Sequence, residues 1–115
     1  MIGIGIDAVD IQRLGALLTR RPGMAERLFT EAERTMPLAS LAARFAAKEA
    51  AMKALGVGLG AFGFHDVEVV REEGGAPRLL VTGMAAELAA RMGVRSWKVS
   101  LTHTDSLAEA VVVAL

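Results

Sequence analysis

Near the start of the chain, apolar residues recur at every second position. Isoleucines occupy positions 2, 4 and 6, whereas the odd positions from 3 to 7 carry glycine, glycine and aspartate. This period of two predicts a β-strand over 2–7 with one aliphatic face and one almost bare face. Because glycine lets other groups approach the backbone closely, we expect either a helix or a ligand against the bare face. Asp7 ends that face, and it is interpreted either as a turn former or as a functional carboxylate.

The spacing of apolar residues then changes to that of a helix. Asp10 is suited to cap a helix, and apolar residues recur from Ile11 to Leu18 as on an amphipathic helix that ends at 21–23. Arg13 and Arg20 share the side opposite the apolar stripe. Arginines on such a face are usually only solvated, but they can also receive an acidic partner.

The next segment predicts further helices. We expect a short helical turn over 24–29, and the capping-box pattern at 30–33 predicts the start of another helix. Pro37 ends that helix. Ser40 is predicted to cap a long helix, which ends at Gly56, a residue type favoured just after a helix C-terminus.

The long helix carries a carboxylate at the edge of its apolar stripe. Phe45 and Met52 belong to that stripe, and Glu49 lies about 40° from Phe45 around the helix axis. An ionised carboxylate in that position is costly unless a cation, a metal or a donor compensates it. Lys53 lies one turn further and is placed to help, although an ordinary surface ion pair of Glu49 and Lys53 is the alternative.

A glycine-rich loop over 57–63 follows the long helix. It lacks the lysine and hydroxyl residue of a P-loop and does not open a helix, so a flexible connector is the plainer interpretation. Such a loop can also bring backbone N–H groups close to a phosphate. The other predicted elements are strands over 64–71 and 78–82 around a turn at 72–77, a helix over 84–92, and strands over 97–103 and 108–115 around a turn at 104–106.

These elements predict one α+β domain over residues 1–115. Most strands are joined by hairpins, so we expect a largely antiparallel sheet with one long central helix and shorter packing helices. The chain is 53% hydrophobic but only 4% aromatic, which favours burial of excess aliphatic surface between subunits of an oligomer.

Charge and composition narrow the function classes. The formal net charge is zero, so nothing suggests a nucleic-acid partner, and the lack of cysteine excludes disulfides and thiolate metal sites. We see neither a signal peptide nor a run long enough to span a membrane, and we expect a cytoplasmic protein.

Polar groups capable of chemistry stand on three different elements. Asp7 and Glu49 are two carboxylates of the kind that Mg²⁺ binds together with waters and phosphate oxygens. Lys53 and His103 suit the phosphates themselves. His103 alone is more often a structural histidine at a strand end, so the grouping is a hypothesis.

Three segments together resemble a known family. Residues 3–11 (GIGIDAVDI), 44–56 (RFAAKEAAMKALG) and 100–104 (SLTHT) are similar, in order and spacing, to holo-[acyl-carrier-protein] synthases, the small bacterial type of 4′-phosphopantetheinyl transferase. The resemblance covers essentially the whole chain. The 44–56 block is highly specific, whereas the first strand alone is a weak signal.

The resemblance implies transfer of the phosphopantetheine arm of coenzyme A to a serine of apo acyl carrier protein, in support of fatty acid biosynthesis. It implies Asp7 and Glu49 as Mg²⁺ ligands and Lys53 at the pyrophosphate. The serine also needs a base, and we expect Glu49 to act directly or through a water; because a carboxylate that holds a metal is a weak base, a proton path through solvent is the alternative. Larger members of the superfamily have a further acid where this chain has Val9, and we expect a water in its place.

The resemblance also implies partners. Family members are typically trimers with active sites between subunits, and their carrier proteins are acidic, so Arg13, Arg20 and Arg21 are the expected docking residues. The alternative function is a non-catalytic oligomeric module that binds coenzyme A or another nucleotide; a purely structural protein is less favoured. The expected coenzyme A contacts are Arg44, Lys48, Lys53, Gly56, Gly58, Thr102, His103 and Thr104.

Overall fold

A computed structural model describes residues 1–72 and 74–115. No helix in those ranges is both long enough and apolar enough to cross a lipid bilayer. The strands are β1 (Gly3–Asp10), β2 (Val67–Arg71), β3 (Pro77–Val81), β4 (Trp97–His103) and β5 (Leu107–Ala114), and the helices are α1 (Ile11–Arg20), α2 (Met24–Leu28), α3 (Leu38–Ala54) and α4 (Gly83–Arg91).

The strands form two antiparallel sheets. One has the order β1-β5-β4, and the other is the β2-β3 hairpin, in which Arg71 lies opposite Pro77. This arrangement, with α3 as its long helix, confirms the predicted α+β class. Glu73, which belongs to the predicted turn at 72–77, lies outside the described residues.

The bare face of β1 receives α3. A Cβ atom added to Gly3 would lie 1.8 Å from the carbonyl oxygen of Ala54, and one added to Gly5 would lie 1.9 Å from that of Ala50. Only glycine allows the helix backbone so close to the strand. Of the two expected occupants of this face, the structure therefore has the helix.

The isoleucine face of β1 points away from the core. Ile4 is 57% exposed and Ile6 is 61% exposed. They lie opposite Val113 and Val111 of β5, so the outer side of the three-stranded sheet presents a continuous aliphatic patch. We call these four residues the outer aliphatic patch.

Several local predictions are confirmed. Asp10 caps α1, because its Oδ1 accepts a hydrogen bond from the backbone N–H of Arg13 at 2.9 Å. Gly56 follows α3 with a φ of +70°, as expected of a residue just past a helix end.

Several boundaries differ from the predictions. The first strand, predicted over 2–7, runs from Gly3 to Asp10. Ser40 does not cap the long helix, because Pro37 is its N-cap and the helix begins at Leu38. The strand expected from Phe64 begins only at Val67, after a 3-10 turn over Phe64–Asp66. The capping box does form, but it opens only a 3-10 turn over Glu33–Thr35, since Pro37 lacks the N–H needed to continue a helix.

Candidate active site

The close approach of α3 to β1 brings Lys53 to Asp7. Lys53 Nζ lies 3.0 Å from Oδ1 of Asp7 and donates a second hydrogen bond to the carbonyl oxygen of Ile6 at 2.9 Å. Lys53 therefore forms its ion pair with Asp7. The alternative prediction, an ordinary surface ion pair of Glu49 and Lys53, is not found among the described residues. The Lys53 side chain is 55% exposed, so it is free to turn toward a ligand.

Glu49 stands beside this pair, half-buried. Its burial, and then the charge of Asp7, raise the pKa of the Glu49 carboxyl, while Lys53 lowers it. A carboxylate beside a second carboxylate is stabilised in its charged form when a cation binds between the two. We call Asp7, Glu49 and Lys53 the carboxylate cluster.

The carboxylate cluster fits a magnesium ion by the chemistry of its donors. Asp7 and Glu49 supply hard oxygen ligands, and Mg²⁺ commonly takes one or two carboxylates while keeping waters and substrate oxygens. The described residues contain no group of three or more histidine, cysteine, aspartate or glutamate side chains suited to a metal. A metal here would therefore depend on oxygens from water and substrate to complete its coordination.

A groove connects Glu49 to the arginines of α1. It has a volume of about 340 Å³ and is lined by Glu49 and Phe45 of α3 together with Arg13 and Arg20 of α1. Arg21 lies just past the end of α1, outside the residues that line this groove. Two of the three predicted docking arginines therefore share a groove with the carboxylate.

A second polar cluster lies between α3 and the end of β4. A cavity of about 120 Å³ is lined by Ser40, Arg44, Arg71, Thr102 and His103, together with two apolar residues. We call it the arginine cavity. It brings together three predicted coenzyme A contacts, Arg44, Thr102 and His103.

Arg71 is a residue of this cavity that the sequence interpretation missed. It ends β2 on the same face as Val67 and Val69, which point into the core. A charged residue at the inward position of a strand was the available signal. That signal does not show that the hairpin packs beside α3 and β4, so by itself it does not place Arg71 in the cavity.

Lys48 occupies a different environment from the one expected. Its side chain is 0% exposed, and Nζ lies 2.8 Å from Oε1 of Glu33, 2.8 Å from the carbonyl oxygen of Phe64 and 2.6 Å from that of Val67. All three N–H groups of the ammonium are therefore used within the chain. The expectation that Lys48 contacts coenzyme A does not fit this geometry.

The remaining candidates lie at two chain turns. Gly56 and Gly58 follow the end of α3 at which Lys53 lies. No atom lies within 4 Å of a Cβ added to either glycine. Thr104 has a visible structural role, since its Oγ1 accepts hydrogen bonds from the backbone N–H groups of Ser106 and Leu107. The glycines therefore leave open space for a ligand, whereas the Thr104 hydroxyl holds the β4–β5 turn.

The carboxylate cluster and the arginine cavity lie on opposite sides of α3. Arg44 and Lys53 are nine residues apart, which is about two and a half turns and about 13.5 Å along the helix axis. The clusters also use opposite edges of the three-stranded sheet, since Asp7 belongs to β1 and His103 to β4. One subunit therefore presents two separate polar clusters.

The fold agrees with comparisons to known proteins. Residues 3–112 match the family model of the 4′-phosphopantetheinyl transferase superfamily. The chain therefore belongs to that superfamily.

Particular relatives narrow the comparison to one kind of enzyme. The chain is 52% identical, over 120 residues, to holo-[acyl-carrier-protein] synthase of Streptomyces coelicolor, an alignment that covers 99% of this chain and 97% of the relative. The crystal structure of the Neisseria meningitidis enzyme of that name has a TM-score of 0.90 at 29% identity and covers 100% of this chain and 98% of its own. The Helicobacter pylori enzyme, solved in complex with coenzyme A, has a TM-score of 0.86 at 32% identity, with coverage of 97% and 99%.

Proposed function

We propose that this chain transfers the 4′-phosphopantetheine group of coenzyme A to a serine of apo acyl carrier protein. The products are the holo carrier protein and adenosine 3′,5′-bisphosphate. The convergence of Asp7, Glu49 and Lys53 at one place carries the proposal, since a protein that only binds a nucleotide gains nothing from paired carboxylates. The similarity to holo-[acyl-carrier-protein] synthases over the whole chain supports it.

Asp7 and Glu49 would hold Mg²⁺, which when bound supplies positive charge to the pyrophosphate. Lys53 leaves Asp7 and binds a phosphate oxygen, where it offsets negative charge on the leaving bisphosphate. Glu49 takes the proton of the serine hydroxyl, directly or through a water. The serine oxygen bonds to the phosphorus of the pantetheine arm, and the bond from that phosphorus to the bisphosphate oxygen breaks.

The proposal includes docking of the acidic carrier protein on α1. Arg13 and Arg20 border the groove that ends at Glu49, so a protein bound to these arginines is near the carboxylate that must receive its serine proton. Opposite charge increases the rate of encounter and makes it sensitive to salt. Arg21, just past the end of α1, is the third arginine of this docking face.

We also propose a homotrimer with active sites between subunits. Arg44 and Lys53 lie on opposite sides of α3, whose intervening face is packed on the sheet. In the proposed trimer, a neighbouring subunit brings its arginine cavity to the carboxylate cluster, and each cluster is one half-site. The outer aliphatic patch, with Ile4 and Ile6 more than half exposed, gives the apolar surface that packing between copies requires.

The activity is tested by incubating the protein with apo carrier protein, coenzyme A and Mg²⁺ and then weighing the carrier. We expect a mass increase equal to one phosphopantetheine group, located on a serine. An unchanged carrier mass together with retained binding of coenzyme A would support the non-catalytic binding module instead. We also propose a cytoplasmic location and a role in fatty acid biosynthesis, as expected from the sequence.

A further inference from the structure

A cleft lies where the two sheets of the chain are not joined to each other. Within residues 1–72 and 74–115, β3 pairs only with β2 and β4 only with β5, and α4 connects β3 to β4. The cleft at this gap has a volume of about 460 Å³ and is lined by residues 78–81, by one face of α4 and by residues 94–97. We call it the α4 cleft. Sites for small ligands have volumes of about 300–1,000 Å³, so the α4 cleft is large enough to be one.

The α4 cleft is separate from the proposed active site. Among the described residues, it shares no lining residue with the groove at Glu49 or with the arginine cavity. A ligand in the α4 cleft would therefore occupy neither the carboxylate cluster nor the docking face on α1.

Much of the lining is apolar. Leu79 and Val81 line the cleft from β3, and Val94 and Trp97 line it from the segment that leads into β4. Leu79 is buried, and the other three are half-buried against the core. The α4 residues of the lining have short side chains, which leave the space open: Ala86, Ala89 and Ala90. An aliphatic chain in this cleft would cover apolar surface that now faces water.

Two arginines line the same cleft. Arg95 forms no ion pair within residues 1–72 and 74–115, and Arg78 pairs with Glu72 at 3.0 Å. Both side chains of that pair are more than half exposed, so it is weak and the anionic group of a ligand can replace Glu72. No described residue of the lining is acidic. The α4 cleft therefore favours a ligand with a negative charge.

The backbone of Arg95 is held at the end of the larger sheet. Its N–H donates a hydrogen bond to the carbonyl oxygen of Leu115 at 2.7 Å, and the N–H of Leu115 donates one to the carbonyl oxygen of Ser96 at 2.9 Å. The Arg95 side chain therefore extends from a fixed position. Its planar guanidinium can bind both oxygens of one carboxylate.

We propose that the α4 cleft binds a small amphiphilic carboxylate. The aliphatic tail lies against Leu79, Val81 and Trp97, and the carboxylate accepts hydrogen bonds from Arg95. This site is additional to the proposed transfer activity and does not depend on it.

The only tryptophan of the chain makes the binding measurable. Trp97 lines the cleft, and the sequence contains no tyrosine, so the fluorescence of the protein reports on this place. Titration with octanoate, below its critical micelle concentration, should shift the emission in a saturable way. Acetate lacks the tail and 1-octanol lacks the charge, so each should bind at least roughly tenfold more weakly.

Variants locate the two parts of the ligand. Arg95→Ala should weaken octanoate binding roughly tenfold, and Arg95→Lys should fall between Arg95→Ala and the wild type, because it keeps the charge but loses the fork of donors. The matched control is Arg91→Ala, an exposed arginine of α4 outside the lining, which should bind as the wild type does. Ala90→Leu fills the cleft from an exposed position of α4 and should abolish the saturable shift while Arg95 stays in place.

The inference is overturned if octanoate gives no saturable shift, or if octanol binds as tightly as octanoate. Equal binding by Arg95→Ala and Arg91→Ala would mean that Arg95 does not hold the carboxylate. Unchanged binding by Ala90→Leu would place the ligand outside the α4 cleft. Both of these results would also overturn the inference, and thermal unfolding of each variant checks that the fold is retained.

Discussion

Lys48 Nζ lies 2.8 Å from Oε1 of Glu33, and both side chains are buried. The other oxygen of Glu33 accepts a hydrogen bond from the backbone N–H of Val69 at 3.1 Å, so this ion pair joins α3 to the start of the β2-β3 hairpin. Lys48 precedes Glu49 in sequence. The pair therefore fixes the part of α3 from which the carboxylate of the active site projects.

We predict that Lys48→Met destabilises the fold by about 3–5 kcal/mol, because it leaves the Glu33 carboxylate buried without its cation. Urea unfolding measures the change. The double variant Lys48→Met/Glu33→Gln should recover part of the loss, since it removes both charges. Arg78→Ala, which breaks the exposed pair with Glu72, is the control and should cost less than about 1 kcal/mol. An equal cost for Lys48→Met and Arg78→Ala would contradict the prediction.

Glu49→Gln and Asp7→Asn should each remove most transfer activity while leaving the melting temperature close to that of the wild type. Both residues are interpreted as ligands on the margin of the core, and Glu49 is also the candidate base. Glu87→Gln, on the exposed side of α4, makes the same chemical change away from the cluster and should retain activity. Full activity of Glu49→Gln or Asp7→Asn at ordinary Mg²⁺ concentration would exclude the proposed metal site.

Arg13→Glu combined with Arg20→Glu should raise the KM for carrier protein, because two favourable charges become repulsive ones at the docking groove. The effect should shrink as salt is added. Affinity for coenzyme A should stay nearly unchanged. If coenzyme A binding weakens equally, the arginines belong to the nucleotide site or to the fold. Arg91→Glu at the end of α4 is the control for a change of surface charge alone.

Mixed trimers test whether the active site lies between subunits. Glu49→Gln and His103→Ala each damage a different half-site, so refolding the two variants together should restore activity at limiting coenzyme A. Glu49→Gln mixed with Asp7→Asn should not recover, because both changes damage the same half-site. Recovery in neither mixture would favour a site within one chain.

Gly5→Ala should destabilise the fold by about 1–3 kcal/mol or more, since the new methyl group would overlap the carbonyl oxygen of Ala50 at 1.9 Å. Relief of that overlap requires α3 to move away from β1. Gly58→Ala is the control, because no atom lies within 4 Å of its added Cβ. Thermal unfolding compares the two variants, and similar melting temperatures would show that α3 adjusts without cost.

The sequence sufficed for those features that depend on local spacing. The period of two in β1 and the position of Glu49 beside an apolar stripe led to the carboxylate cluster. Gly5 could be identified as a place of close approach, although the choice between helix and ligand required the structure. The structure was also needed to show that the isoleucine face of β1 points outward. It points outward because α3 and the small residues of β5 fill the inner side of the sheet.

Sequence patterns could not identify contacts between residues that are far apart along the chain. Lys48 and Glu49 are adjacent polar residues on one helix, and nothing in their spacing says that Lys48 alone meets an acid from the 29–36 segment. Its partner was identified only as a capping-box residue. Arg71 was missed for the same reason, since its role depends on how a separate hairpin packs beside α3 and β4.

Asp10 is both the last residue of β1 and the N-cap of α1, so no loop separates the strand from the helix. The distance and the relative orientation of Asp7 and Arg13 are consequently fixed by three strand residues and the first turn of α1. A single inserted residue at this junction would rotate the arginines by about 100° relative to the carboxylates. Because no linker separates β1 from α1, the arginines of the docking face stay at a constant distance from the carboxylates.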